Sequence, residues 1–334
     1  MYEIRFCQTN EQKKLQKFID GKWKKSHILS KDDVLLKWQY FNKNENYYNF
    51  VVANNIKTGE FDAILGFIPL CHYDKKLVDK KDIWLAIWKV DETSCGKKGI
   101  GLDLLLFLKE KNNPCSIGAI GINENVKKIY KYYGYKIDKL TQYYLLNTNV
   151  EAYKIAYISK VTKNIFNPGC CQINEIRDLY KIDDLKCRYR PQKSIEYIYN
   201  KYHNHPNYKY KLFGVYCSNK LRSIFIIRKI NIDDSSCLRI VDIYGDLKNI
   251  NSLGSEFQRI LEQEESEYID CLNYGISESV FFDMGFKKRT DEMIIPNYFE
   301  PFEKRNIDIE IAYKSNYNDY IIFKGDSDQD RPNL

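Results

Sequence analysis

DIWLAIWKV (82–90), DETSCGKKGIG (91–101) and LDLLLFLKEK (102–111) follow one another without a break, and their reading decides the fold. The first is an apolar strand, the last an apolar helix, and Gly96-Lys97-Lys98-Gly99-Ile100-Gly101 joins them. A glycine-rich turn from a strand into a helix suits anion capture, because successive main-chain N–H groups and the helix N-terminus converge on negative oxygens. Glycine serves where a Cβ would block close approach. A dinucleotide-binding fingerprint fits poorly. No glycine follows Gly101 at the third position, and no acidic residue stands at the expected distance on a second strand.

Upstream, YEIRFC (2–7) alternates as a short strand, and Thr9 with Gln12 offers a capping box to a helix carrying Leu15, Phe18 and Ile19 on one face. A second helix covers about Val34 to Phe41. YYNFVVAN (47–54) and FDAILGFIP (61–69) read as a hairpin across Lys57-Thr58-Gly59. Downstream, SIGAIGIN (116–123) is a strand, ENVKKIYKYYG (124–134) a helix ending on a glycine, and QYYLLN (142–147) a last strand.

This order of elements resembles the GNAT superfamily of N-acyltransferases, and three places carry the resemblance. The family's Gln/Arg-x-x-Gly-x-Gly/Ala loop, which holds the pyrophosphate of coenzyme A, corresponds to residues 96–101. Gly96 replaces the usual Gln or Arg, and Lys97 and Lys98 bring charge in its stead. Asn123 matches a polar position that contacts the pantetheine or phosphate of the cofactor, and Asn is equally a preferred helix N-cap. Ile129-Tyr130-Lys131-Tyr132-Tyr133-Gly134-Tyr135 matches the family pattern of Tyr, three residues, Gly and an aromatic. The resemblance implies acyl-CoA as co-substrate and no metal. It places the CoA contacts at Lys89, Val90, Gly96, Lys97, Lys98, Gly99, Ile100, Gly101, Asn123 and Tyr130. It also implies an oxyanion contact from the main chain near Lys89 or Val90, and proton donation to the departing thiolate by Tyr130. An ordinary tyrosine, with a pKa of about 10, stays protonated at neutral pH.

The second half repeats the pattern. CQINEI (171–176) reads as a first strand, with helical segments near 177–187 and 193–202. KLFGVY (211–216) and LRSIFIIRKI (221–230) form a hairpin, CLRIVDIYGD (237–246) a central strand, and SEFQRILEQ (255–263) its helix. EYIDCLNYGISESVFFDMGF (267–286) parallels residues 116–135. Aligning Gly285-Phe286 on Gly134-Tyr135 sets Phe281 opposite Tyr130 and Tyr274 opposite Asn123, and no GxG loop follows the central strand. The expected architecture is α/β, with two tandem GNAT folds: 1–150 carrying the acyl-CoA site, 151–172 a linker, and 173–334 a degenerate copy serving the acceptor.

The run 323–333, together with KSIEYIYNKYHNHPNYKY (193–210) and the twin layout, resembles the sugar N-acyltransferases of surface-polysaccharide (O-antigen) pathways. That resemblance implies a nucleotide-linked, dTDP-type deoxyamino sugar as acceptor, and acetyl or 3-hydroxybutanoyl as the acyl group. Candidate acceptor residues are His27, Trp84, Trp88, Asp242, Tyr244, Asp326, Asp328 and Arg331, with Trp84 and Trp88 spaced to share one strand face. His27, Asp91 and Glu92, or a chain of water, are candidates for the base.

Composition sets the outer limits. The net charge of +7 is dispersed, which disfavours a nucleic-acid footprint while still attracting phosphate-bearing small molecules. No stretch has the length of a membrane span and the N-terminus lacks a signal-peptide pattern, so a cytoplasmic protein is expected. The ten cysteines contain no CxxC and read as thiols of a reducing compartment. Two rival functions remain: a FemAB-like aminoacyl transferase drawing on charged tRNA, and a non-catalytic CoA-binding or regulatory module. The glycine loop speaks for CoA over tRNA, and retention of loop and tyrosine together in one copy speaks for catalysis.

Overall fold

The computed structural model describes the chain except residues 94–98, 162, 165, 167, 168, 170, 180, 181, 183, 184, 248, 249, 251, 333 and 334. The first half runs β1 (Tyr2–Gln8), α1 (Gln12–Phe18), α2 (Ile28–Lys31), α3 (Asp33–Tyr40), β2 (Phe41–Asn42), β3 (Tyr47–Asn55), β4 (Phe61–Pro69) and β5 (Asp82–Val90). It continues with α4 (Ile100–Asn112), β6 (Ser116–Ile120), α5 (Glu124–Tyr132), β7 (Lys136–Lys139) and β8 (Thr141–Leu146). Leu15, Phe18 and Ile19 are all buried, as an amphipathic first helix requires. Asp32 starts α3 by accepting from the N–H groups of Val34 and Leu35.

The second half runs β9 (Cys171–Glu175), α6 (Ile195–Ile198), β10 (Tyr210–Cys217), β11 (Lys220–Ile232), β12 (Ser235–Gly245), α7 (Gly254–Gln263), β13 (Tyr268–Tyr274) and α8 (Glu278–Asp283). Then come β14 (Lys287–Lys288), β15 (Tyr298–Phe299), β16 (Phe302–Glu303), β17 (Glu310–Ser315) and β18 (Ile322–Phe323). The helix expected near 177–187 falls partly on undescribed residues, and those described there form no α-helix. The one expected over 193–202 is α6 prolonged by a π-helical turn, Tyr199–His203.

Two large sheets result. The first has the order β1-β3-β4-β5-β6-β17-β7, with β2 on β3; the second has β14-β8-β13-β12-β11-β10-β9, with β18 on β13. Each half therefore lends a strand to the other's sheet. β8 pairs antiparallel with β13, Leu146 facing Tyr268, while β17 fits between β6 and β7. Sequence order gave no sign of this exchange, because an alternating strand does not announce which sheet it joins.

In each sheet one parallel pair opens into a wedge. β5 and β6 run together from Asp82–Ser116 to Leu85–Ala119 and pair no further. Beyond that point the register of β5 against β4 slips by one residue, Leu65 facing Trp88 while Phe67 faces Leu85, which is a bulge. The second sheet repeats both features. β12 and β13 pair only from Leu238–Ile269 to Ile240–Cys271, and β12 carries an extra residue against β11 at the next position.

The second wedge is filled. β18 pairs with Asn273 and Tyr274 of β13, the Lys324 N–H donates to the Leu272 carbonyl at 3.1 Å, and the Gly325 N–H donates to the Val241 carbonyl at 2.8 Å. The strip thus bridges β13 to β12. A Cβ on Gly325 would lie 2.6 Å from both the Tyr202 hydroxyl and the Val241 carbonyl, so glycine is required there.

One cysteine expectation is corrected. Cys171 and Cys217, directly opposed at the end of the β9–β10 ladder, are joined in a disulfide. Adjacent antiparallel strands bring the two side chains together, a proximity hidden by their separation of 46 residues.

Candidate active site

Part of the set that sequence reading singled out, Trp88, Val90, Ile100, Gly101 and Tyr130, meets beside the first wedge. Gly99 is the N-cap of α4 with φ of +95°, and open space surrounds the position a Cβ would take. Gly101 answers a different need. Its Cβ would lie 3.0 Å from a Val90 methyl, and its carbonyl accepts from Trp88 Nε1 at 3.2 Å, so α4 starts pressed against β5. Ile100 is buried in the same cluster, with Val90 and Trp88 packed against it. Gly96, Lys97 and Lys98 lie outside the described residues.

Tyr130 packs edge-on to Trp88 and against Tyr135, only 2% exposed. Its hydroxyl has no hydrogen-bond partner among the described residues, and burial raises its pKa well above the usual tyrosine value. Asn123 caps α5, accepting from the N–H groups of Asn125 and Val126, and is exposed. Lys89 Nζ reaches Glu92 at 2.7 Å.

Immediately past β6, Gly121 and Ile122 open onto a cavity of about 590 Å³. It lies among elements from both halves, and its walls mix apolar side chains with charged ones of both signs, among them Arg228 of β11, Arg239 of β12, and Lys324, Asp330 and Arg331 of the final run, with Glu300, Asp308 and Glu310 opposing them. Three of the cations have counter-charges. Arg228 pairs with Asp330 at 2.7 Å, Arg239 holds Asp270 through two bonds of 2.7 and 2.9 Å, and Arg331 pairs with Asp328.

The sequence matches no protein-family model and no curated protein. Solved structures do match in shape. A GCN5-related N-acetyltransferase from Anabaena variabilis superposes with a TM-score of 0.55 at 10% identity, over 93% of this chain and 72% of its own. A probable N-acyltransferase from Enterococcus faecalis V583 gives 0.54 at 9% identity, over 94% of this chain and 73% of its own. The fold is a tandem GNAT fold.

Within that GNAT frame several expected acceptor residues take other parts. Trp84 and Trp88 do not share a face, because the bulge between them reverses the alternation. Trp84 is 1% exposed in the opposite core cluster, its ring against Gly118 and Tyr320, and cannot stack on a ligand. Asp242 and Asp326, both fully buried, clasp Lys193 at 2.7 and 2.8 Å, and Asp242 also accepts from the Tyr202 hydroxyl. Burial opposes the charge of Lys193, but the two carboxylates outweigh it and hold its pKa above the ordinary lysine value. This is core architecture, and neither carboxylate faces the cavity. The Tyr244 hydroxyl is spent on the Leu185 carbonyl. Of the final run, Arg331 does line the cavity, with Asp328 behind it.

The three candidate bases are all engaged. His27 lines the cavity, yet its Nδ1 lies 3.2 Å from the Leu29 N–H and its Nε2 lies 3.2 Å from Arg331. A neutral imidazole accepts at one nitrogen only, so just one of these contacts is a hydrogen bond to it. Burial, then the nearby Arg331 and Lys24, press its pKa down to about 3. Burial works against the Asp91 charge, but Lys22 at 2.8 Å and Thr93 keep its pKa below the usual carboxylate value. Glu92 is exposed and held by Lys89. Sequence reasoning missed Arg228, Lys324 and Asp330 at the cavity, since nothing in a strand or tail says which cations will converge.

Proposed function

We propose that this chain is an acyl-CoA-dependent N-acyltransferase whose acceptor is the amino group of a nucleotide-linked, dTDP-type deoxyamino sugar. The observation that carries the reading is the open β5–β6 wedge. It is flanked by the α4 N-terminus, Tyr130 packs on Trp88 of β5, and Gly121 and Ile122, just past the end of β6, line a cavity that also carries charged side chains. Gly99, Ile100 and Gly101, with Lys89, Val90, Asn123 and the loop before them, would hold the CoA moiety, and the Cβ-free space at Gly99 fits an approaching phosphate. Acyl-CoA supplies an acetyl or 3-hydroxybutanoyl group activated as a thioester.

The residues of the chain then position and stabilise. On the side away from β4, the main chain of β5 beyond Leu85 has no strand partner, which leaves N–H groups near Lys89 and Val90 for the negative charge that grows on the carbonyl oxygen. The Tyr130 hydroxyl holds a proton for the leaving sulfur, and burial keeps that proton on the phenol oxygen at neutral pH. None of His27, Asp91 and Glu92 is free to take the amine proton, so water receives it in this reading. Holding both substrates in one geometry supplies much of the acceleration.

The test is direct. Purified chain is mixed with acetyl-CoA or 3-hydroxybutanoyl-CoA and a panel of dTDP-amino sugars, and thiol release is followed with product mass. Transfer from charged tRNA, or failure of any CoA thioester to bind, would overturn the proposal.

A further inference from the structure

Lys324 is the odd cation of the cavity. It lines the wall yet is only 8% exposed, and among the described residues no carboxylate lies within ion-pair distance and no acceptor meets its ammonium group. The charged groups that act on it most strongly are three guanidinium groups, those of Arg239, Arg228 and Arg331, and one carboxylate, Asp330, which Arg228 and Tyr210 already occupy. The Nε atoms of Arg228 and Arg331 are also buried without a hydrogen-bond acceptor. Buried polar groups are otherwise almost always satisfied. Two buried guanidinium nitrogens without an acceptor, and one ammonium group without a counter-ion, therefore belong to residues on one cavity, whose volume lies within the roughly 300–1,000 Å³ typical of small-ligand sites.

We propose that Lys324 seats an anionic oxygen group, phosphate or carboxylate, of the molecule that enters this cavity. The proposal deepens the reading above and rests on it for the identity of that molecule, whose diphosphate would be the group in question. An oxyanion there would answer the free ammonium with charge-assisted bonds, which are strong where water is scarce. The main chain of Lys324 is clamped on Leu272 and that of Gly325 on Val241, so the seat is built before any ligand arrives.

Calorimetric titration of the full chain, saturated with CoA, tests this with two probes: thymidine diphosphate for a phosphate source and malonate for a carboxylate source. Wild type should bind one of them, and Lys324→Met should weaken that binding tenfold or more while leaving CoA affinity unchanged. Near pH 8.5 binding to wild type should take up a proton, read from buffers of different ionisation enthalpy, because the anion favours the charged lysine. That second signature needs no variant to fold. Equal affinity in both proteins without proton uptake, or no binding of either probe, would overturn the anion seat. A chain that binds thymidine diphosphate through Lys324 but acylates no amino sugar keeps the seat and loses the proposed function. Acylation with an unchanged KM in Lys324→Met does the reverse.

Discussion

At the scale of single residues, Tyr130 and Lys324 are both buried and neither polar group has a partner among the described residues, but their chemistry differs. Tyr130→Phe removes a proton without disturbing the packing against Trp88 and Tyr135, so turnover should fall about 100-fold with the KM for acyl-CoA little changed. Steady-state assays at saturating acceptor will show it. Lys324 makes a separate statement about stability. Burial, then its arginine neighbours, bring its pKa down to about 8 from 10.5, a shift worth about 3 kcal/mol. A depressed lysine pKa means that the folded chain gives up a proton which the unfolded chain still holds between these values, so the penalty applies in full below pH 8 and fades as pH rises to about 10.5. Lys324→Met should accordingly be more stable than wild type at pH 7, with the advantage shrinking across that window. The comparison must be a difference. Buried thiols such as Cys7 and Cys237, raised to about 12, pull stability the other way in both proteins as pH rises. Urea midpoints at several pH values will measure it. Tyr130 could be picked from its spacing to Gly134, whereas Lys324 could not, because an isolated lysine in a polar tail carries no mark of burial.

At the scale of elements, strands and helices were readable where periodicity was strong. The hairpins at 47–69 and 210–232, the central strands and both glycine-ended helices fall where alternation and turn residues put them. What could not be read was the bulge in β5, since DIWLAIWKV looks uninterrupted and only its pairing with β4 reveals the slipped register. The misplacement of Trp84 follows from that alone. The final run was likewise misjudged: its acidic residues suggested ligand contacts, yet Asp326 is an internal tie to Lys193, which also holds Asp242 of β12. Lys193→Met would leave two uncompensated buried carboxylates and should cost about 3–5 kcal/mol, read from chemical denaturation. A loss below about 1 kcal/mol would mean that the strip is held by packing alone.

At the scale of the molecule, the exchange of β8 and β17 makes the two GNAT folds interdependent. Separately produced halves, 1–150 and 151–334, would each lack one interior strand of their own sheet and carry a strand whose partners are elsewhere. Each half alone should be insoluble or unfolded, co-production should recover some folded material, and the intact chain should melt in one calorimetric transition. Two well-resolved transitions would show that the sheets hold without the borrowed strands.

The strip that occupies the second wedge goes on to touch the first, where the Ser327 hydroxyl donates to the Leu85 carbonyl. A molecule resting against Lys324 and Arg331 therefore braces a splint shared by both sheets. Its arrival should slow amide exchange in β13, none of whose residues line the cavity, so that a strand of one sheet registers a guest held beside the other.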